Sequence, residues 1–380
     1  MKAPLEGIRV IESTYVFAFP YAAGILSDLG AEVIKIEGPG RPDTTRNGAF
    51  AGAYPDNIVG DDSWNRTASY NQINRGKKSL TLDLSKDEGR EILVDMLKQS
   101  DIFMENFTPR VMKRWGLDYP NLKKIKPDII MVSNTGYGHG EGPWSSYPAQ
   151  ATTQEATHGH CHITGYDNDI PSKAGQSFID FLSCWSGLMG IANALRHRNK
   201  TGEGQWVHTS LLESQIALMD FQMARYLIEN DVPPQAGNNH PKSTPTGVFK
   251  TKDGHINIAA GGQQMWTRLC DGLGAQSLFD NPKFKTAADR LANRDKLNQC
   301  LEVYTVTKTS TQWVEELNKK GVPCGPIYKV DETFADPQVK HLGIARTFDH
   351  AKRGKMTVVG QPFQLSSSDP QIRKGTPECG

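Results

Sequence analysis

Gly7-Ile-Arg-Val-Ile-Glu12, then Pro20, then Gly30-Ala-Glu-Val-Ile-Lys-Ile-Glu37 is the stretch whose reading decides the fold. Residues 7–12 form a short apolar run with strand character. Pro20 suits the first turn of a helix through Leu26, and Gly30 suits its C-terminal cap. Ala31 to Glu37 alternates like a second strand. Strand, helix and strand in so short a span predict a βαβ unit: a parallel pair with a right-handed crossover.

The alternation continues outward. Ser79 to Leu84 reads as a strand, and Ser85 with Glu88 as a capping box that opens a helix to about Lys98. Ile102 to Asn106 reads as a strand, followed by a short helix capped by Thr108 with Pro109 in its first turn. Asp128 to Ser133 is another strand, ending in Gly136-Tyr137-Gly138. Strands alternating with helices predict a doubly wound, Rossmann-like α/β sheet. Residues 38–72, rich in Gly, Pro, Asn and Asp, read as a long surface loop of the kind that often carries function. Residues 181–198 and 211–230 read as long apolar helices around a strand-like Gln205 to Thr209.

Near Asn230 the texture changes, and Asp231-Val-Pro-Pro-Gln-Ala-Gly reads as a hinge. The expected organisation is a large domain over 1–230, a smaller α+β domain over 231–330, and a segment 331–380 that returns to the first. A hairpin from Gly247 to Ala259, turned by Asp253-Gly254, opens the small domain. A strand pattern near Met356 to Phe363 marks the tail.

Across 380 residues, 43 Lys and Arg balance 42 Asp and Glu, leaving +1. No global field draws nucleic acid or an anionic membrane surface, so neither is expected as a partner. No uninterrupted apolar window approaches ~18 residues, so no spanning helix is expected. The first residues lack the apolar core of a signal peptide. The six cysteines show no C-x-x-C spacing and read as reduced thiols of a cytoplasmic protein.

Candidate chemistry is sparse. Gly136-x-Gly138-x-Gly140-x-Gly142 places Glu141 where a dinucleotide fingerprint needs glycine, so a flexible turn is expected. His158-x-His160-Cys161-His162 would share a face if extended, but no second ligand pair accompanies it, and no metal is expected. Arg75, Lys77 and Lys78, with Arg114 after Asn106-Phe107, read as a basic rim for a phosphorylated ligand. Asp180 heads an apolar helix, where spacing alone favours a cap. A helix N-terminus also favours the ionised carboxylate, so Asp180 is expected to be charged at neutral pH.

Read as a whole, the chain resembles the family III CoA-transferases, the group that contains formyl-CoA transferase, carnitine CoA-transferase and the α-methylacyl-CoA racemases. The resemblance rests on Pro4-Leu-x-Gly-Ile-Arg-Val-Ile-Glu12, Leu29-Gly-Ala-Glu-Val-Ile-Lys-Ile-Glu37, Asn74-Arg-Gly-Lys-Lys-Ser-Leu80 and Glu105-Asn-Phe107. It continues through Gly136-Tyr-Gly138, Lys173-Ala-Gly175 up to Asp180, Lys200-Thr-Gly-Glu-Gly-Gln205 and Val322-Pro-Cys-Gly-Pro326. It implies a Rossmann-like large domain, a small domain and an interlocked homodimer. Asp180 falls on the family's nucleophilic aspartate, which implies an acyl-aspartyl anhydride and an aspartyl-CoA thioester. Ala18, Asn106, Phe107 and Arg114 fall on CoA-contacting positions, with Arg75, Lys77, Lys78, Gly136 and Tyr137 bordering them. The implied substrates are an acyl-CoA and a small carboxylic acid, with CoA a substrate and no permanently bound cofactor.

The chain departs from formyl-CoA transferase at several points. Gly38 stands where that enzyme has a basic residue, with Arg41 or Arg46 as substitutes. Tyr15 and Phe17 replace its His and Gln, and Glu155 is the candidate for its second carboxylate. A racemase of the same fold, and a CoA-binding protein without turnover, are the alternative readings.

Overall fold

The computed structural model describes residues 3–48, 53–166, 170–175, 178–350, 352–368 and 370–379. By compactness the chain divides into two units, one of Met1–Cys161, Lys173–Pro233 and Lys340–Gly380, the other of His162–Ser172 and Pro234–Val339.

The first unit is built on six parallel strands: β1 (Arg9–Ser13), β2 (Glu32–Glu37), β3 (Lys78–Thr81), β4 (Ile102–Glu105), β5 (Ile130–Thr135) and β6 (Trp206–Ser210). Their order is β3-β2-β1-β4-β5-β6, so the sheet is doubly wound and reverses direction between β1 and β4. Beyond the carboxyl ends of those two strands lies the crevice where such sheets bind ligands. Both faces are covered. Val10, Met104 and Val132 point into one apolar cluster with Phe19 and Ile191, while Ile11, Phe103 and Met131 point into another with Leu93 and Leu97. That is the period of two expected of strands buried on both sides.

Helix α1 (Ala18–Asp28) follows β1. It closes as its sequence predicts, with Gly30 at φ +104° and its N–H donating to Ser27 O at 2.9 Å. The predicted capping box does not form. The Ser85 hydroxyl donates to Asp83 Oδ1 at 2.6 Å, and the helix Asp87–Lys98 begins one residue after Lys86 instead. A local side-chain turn outcompetes the cap. The 211–230 helix is two helices, Leu211–Leu218 and Asp220–Glu229, which meet at Met219.

The helix Phe178–Thr201 is long and apolar enough to cross a membrane by length and composition alone, as the core helix of a globular unit also can be. One face of it is core: Ile179, Cys184, Ile191 and Leu195 are buried. Its seat is close because Gly187 and Gly190 leave room. A Cβ on Gly187 would stand 2.7 Å from the Phe19 ring, and one on Gly190 2.5 Å from Val207.

The tail contributes a hairpin, Ala345–His350 with Gly354–Val359, to this unit. The Gln72 side chain bonds the Val359 backbone in both directions, at 2.9 Å each. In the second unit four antiparallel strands pack on helices around Phe249, Trp266, Leu297 and Trp313. The predicted hairpin is there, as Ser243–Lys250 paired with His255–Ala259.

At the carboxyl side of β1 and β2 the first unit buries six charges. Lys35 Nζ lies 3.3 Å from Glu12 and 3.0 Å from Asp43, and donates to Thr14 O at 2.7 Å. Lys77 Nζ lies 2.7 Å from the other Glu12 oxygen. Arg46 makes a bidentate pair with Glu37, at 2.9 and 2.6 Å. Three cations thus face three carboxylates. Burial alone would strip the proton from Lys35, but Glu12, Asp43 and Glu37 more than offset it and hold its pKa above the ordinary value. Burial opposes ionisation of Asp43 and Glu37 too, yet Lys35 and Arg46 hold both carboxyls below their usual range. Breaking such a set strands a charge. Lys35→Met is expected to cost roughly 3–5 kcal/mol in denaturant unfolding, whereas Lys78→Met, at an exposed pair, should cost under about 1 kcal/mol. Equal losses would show that the cluster is not what holds the crevice.

Candidate active site

The crevice floor is the loop after β1. Val16 sits there at φ +70°, a conformation that costs a β-branched residue energy and persists only where surroundings enforce it. The enforcement is visible. Tyr15 N–H donates to Asn106 Oδ1 at 3.0 Å, and Asn106 Nδ2 donates back to Tyr15 O at 2.8 Å. Val16 N–H reaches Asp43 Oδ1 at 3.4 Å. Asn106 follows β4, so this reciprocal pair bridges the switch point of the sheet. Glu105 fixes the same turn by accepting the Phe107 N–H at 2.9 Å, and burial pushes its carboxyl up to about 7. The Phe107 ring packs between Tyr15 and Trp115, with centroids 5.9 and 5.4 Å away.

Asp180 stands in the first turn of Phe178–Thr201. Phe181, its neighbour in the chain, packs edge-on against Tyr21 at 5.1 Å and lies 6.5 Å from Phe17. Among the described residues Asp180 has no ion pair. Burial therefore dominates and pushes its carboxyl from 3.8 up to about 7, against the expectation of a fully ionised group. Glu155, fully buried, accepts the Ala174 N–H at 2.9 Å and so ties the helix Ala151–Thr157 to the segment that leads to Asp180.

Not all of the residues read from sequence come together. Ala18, Asn106 and Phe107 follow β1 and β4, and Gly136 and Tyr137 follow β5, all at carboxyl ends of adjacent strands. Arg114 is exposed on the helix Pro109–Trp115, after β4. The basic rim is corrected. Arg75 is buried against Asp28 at 2.8 Å, and Lys77 is buried on Glu12 with further bonds to Pro20 O and Asn74 Oδ1. Lys78 opens β3 and pairs with Glu32 at 2.5 Å. Two of these three charges are already spent inside the core, Lys77 in the cluster around Glu12, and Lys78 is held by Glu32 at the start of β2. Arg41, which the motif reading gave only as a substitute, is exposed just after β2 and has no ion pair among the described residues.

The histidine stretch is helical. His158 ends one helix and His160 begins the next, so the stretch is not extended. Among the described residues no group of three or more His, Cys, Asp or Glu is placed to hold a metal. All six cysteines are free. Sequence reasoning missed the buried charge cluster, although a lysine inside the apolar run Val33-Ile-Lys-Ile36 was a signal for it.

The model of the family described as CoA-transferase family III matches residues 5–380. An acetyl-CoA:oxalate CoA-transferase from Acetobacter aceti is 35% identical over 381 residues, covering 99% of this chain and 93% of that one. A succinyl-CoA:glutarate CoA-transferase from Homo sapiens is 35% identical over 363 residues, covering 96% and 80%. The crystal structure of a CAIB/BAIF family protein from Brucella suis superposes with a TM-score of 0.87 at 32% identity, covering 100% of this chain and 97% of that one.

Because its folded pKa is raised, Asp180 favours the protonated native state. Stability should fall as pH rises from about 4 to about 7 and stay level above. Asp180→Asn, which removes that ionisation and can still cap a helix, is expected to melt higher than the parent at pH 8, the gap closing near pH 4. An Asn variant that melts lower at pH 8 would contradict the assigned burial.

Proposed function

Since the chain belongs to CoA-transferase family III and is an enzyme of that family, we propose that it moves CoA between an acyl-CoA and a free carboxylic acid by covalent catalysis at Asp180. The observation that carries this reading is a half-buried carboxyl group with no ion pair among the described residues, at the head of a core helix and in a register that resembles the family's nucleophile. A desolvated carboxylate is a stronger nucleophile than a hydrated one.

The steps balance without a proton. Asp180 Oδ attacks the thioester carbonyl, the C–S bond breaks, and CoA leaves as thiolate from an acyl-aspartyl anhydride. The thiolate attacks the aspartyl carbonyl, which forms an aspartyl-CoA thioester and releases the donor acid. The acceptor carboxylate then expels the thiolate, giving a second anhydride. Attack of the thiolate on the acceptor's carbonyl yields the new acyl-CoA and frees Asp180. An anhydride is close to a thioester in reactivity, so the exchange needs no further energy source, provided water is kept out.

For CoA we propose the crevice after β1, β4 and β5, with Ala18, Phe107, Gly136 and Tyr137 along it and Asn106 holding its floor. Arg41 and Arg114, exposed beside the strand ends, meet the phosphates. Arg75, Lys77 and Lys78 support the fold beneath. Borohydride or hydroxylamine added after acyl-CoA should label the peptide containing Asp180, and Asp180→Asn should lose turnover to background. Arg41→Glu with Arg114→Glu should raise the KM for acyl-CoA, more so at low salt. Deuterium exchange at the α-carbon without any acceptor acid, or an active Asn variant, would overturn the reading.

We also propose that the enzyme works as an interlocked homodimer. The helix Asp220–Glu229 has no buried residue, and it leaves Phe221 87%, Leu227 78% and Ile228 82% exposed. Such an apolar face needs a cover, and a second copy supplies one in keeping with the family resemblance. Light scattering should give twice the chain mass, and Leu227→Asp with Ile228→Asp should abolish that species. A stable parent monomer at micromolar concentration would defeat this proposal.

A further inference from the structure

Glu105 ends β4 at the switch point of the sheet, and the steps above leave it unused. Its side chain lies on the same face as Phe103. Register places Ser13 of β1 beside it on one side and Ser133 of β5 on the other. The three residues are 1% exposed or less, and they form a polar row across the carboxyl ends of three strands. The row is incompletely bonded. Glu105 accepts the Phe107 N–H at 2.9 Å and a hydrogen bond from Ser133, which itself accepts the Trp206 Nε1–H at 2.9 Å. Glu105 Oε1 and Ser13 Oγ are buried with no partner. Neighbouring strands stand ~4.8 Å apart, so rotation of the Ser13 hydroxyl brings these two atoms within reach.

Among the described residues no charged side chain faces this carboxyl. Glu12 lies on the other face of the sheet, with Lys35 and Lys77. The helices that cover the row present Leu93, Leu97, Met112 and Leu122 to it. Their charged residues are exposed, Arg90 apart, and Arg90 is turned to Leu84 O and Asp87. The titratable rings nearby are Tyr15, against Phe107, and Tyr119, His139 and His208, against Trp206 one strand beyond Ser133. Burial drives His139 down to about 4, which leaves His208 as the control. Glu105 thus ionises on neutral donors alone, and burial pushes its carboxyl up to about 7.

We propose that Glu105 is a positioning residue for CoA: as a carboxylate it gathers the Phe107 N–H and the Ser13 and Ser133 hydroxyls, and so locks the turn that presents Phe107 to the crevice. The inference rests on the CoA-transfer reading and adds to it a group that acts through Phe107 without touching the substrate. A hydrogen bond to a carboxylate is roughly twice as strong as one to a neutral acid. Protonation turns one acceptor oxygen into a donor, which Ser13 Oγ takes up, and leaves the Phe107 N–H with a neutral acceptor. The locked turn holds the Phe107 ring between Tyr15 and Trp115. CoA therefore binds the ionised form more tightly, and by reciprocity its binding drives a proton from Glu105 to the solvent.

The measurement is the Kd for CoA by calorimetry at pH 6 and at pH 8. Asp180→Asn is the background throughout, which removes the other carboxyl placed near 7. The ratio of Kd at pH 6 to Kd at pH 8 should be roughly threefold larger with Glu105 than with Glu105→Gln, whose amide keeps the shape and cannot ionise. The phosphates of CoA titrate alike in both proteins and cancel. His208→Gln should leave the larger ratio in place. Equal ratios with Glu and Gln overturn the proposal, even if the Gln variant binds more weakly at both pH values, as a merely structural role would have it. A ratio that follows His208 instead also overturns it. If Glu105→Gln does not fold, the infrared carboxyl band of protein labelled with 13C-glutamate decides. A band that titrates near pH 7 and moves to lower pH with CoA upholds the proposal, and one that stays in place overturns it. Absence of CoA binding at both pH values would defeat the CoA-transfer reading, and this inference with it.

Discussion

Lys35 has no water to ionise into, so it ionises between Glu12 and Asp43. The crevice depends on that constraint. Because Asp43 must stay charged to hold Lys35, it is also available to accept the Thr45 N–H at 2.9 Å and to reach the Val16 N–H. Because Glu37 must stay charged for Arg46, it also accepts the Asp43 N–H at 2.8 Å. The ion pairs therefore fix backbone as well as each other. Buried pairs are weak evidence for stability, since desolvation consumes much of their attraction. What they fix is the path of the loop after β1, including a residue in a conformation it would not choose.

Around Asp180 the balance runs the other way. A helix N-terminus is worth ~0.5 kcal/mol or so to a carboxylate. The rise from 3.8 to about 7 corresponds to on the order of 4 kcal/mol against ionisation. Burial wins by a wide margin. At neutral pH the group is roughly half charged, in the range that suits the nucleophilic role proposed for it. A site that stabilised its carboxylate with a cation would be easier to ionise and slower to attack.

Legibility in the sequence followed the range of the interaction. The βαβ opening was readable because a period of two, a proline in the first turn and a glycine at φ +104° are properties of neighbouring residues. The capping box failed because Asp83, two residues upstream of Ser85, offered a nearer acceptor. The basic rim failed for a different reason. Arg75, Lys77 and Lys78 look alike in the sequence, yet burial and the direction of β3 give two of them core partners and place the third at the amino end of the sheet.

The sequence by itself determined the fold class, the strand order's first step and the position of Asp180, because periodicity and motif register survive without coordinates. Tertiary structure alone decided which charges are free. Glu12 and Lys77 are far apart in the chain and neutralise one another, while Glu105, at the same end of the sheet, has no ion pair among the described residues. A charge acts according to its distance from other charges and from water, and both are set only when the chain has closed on itself.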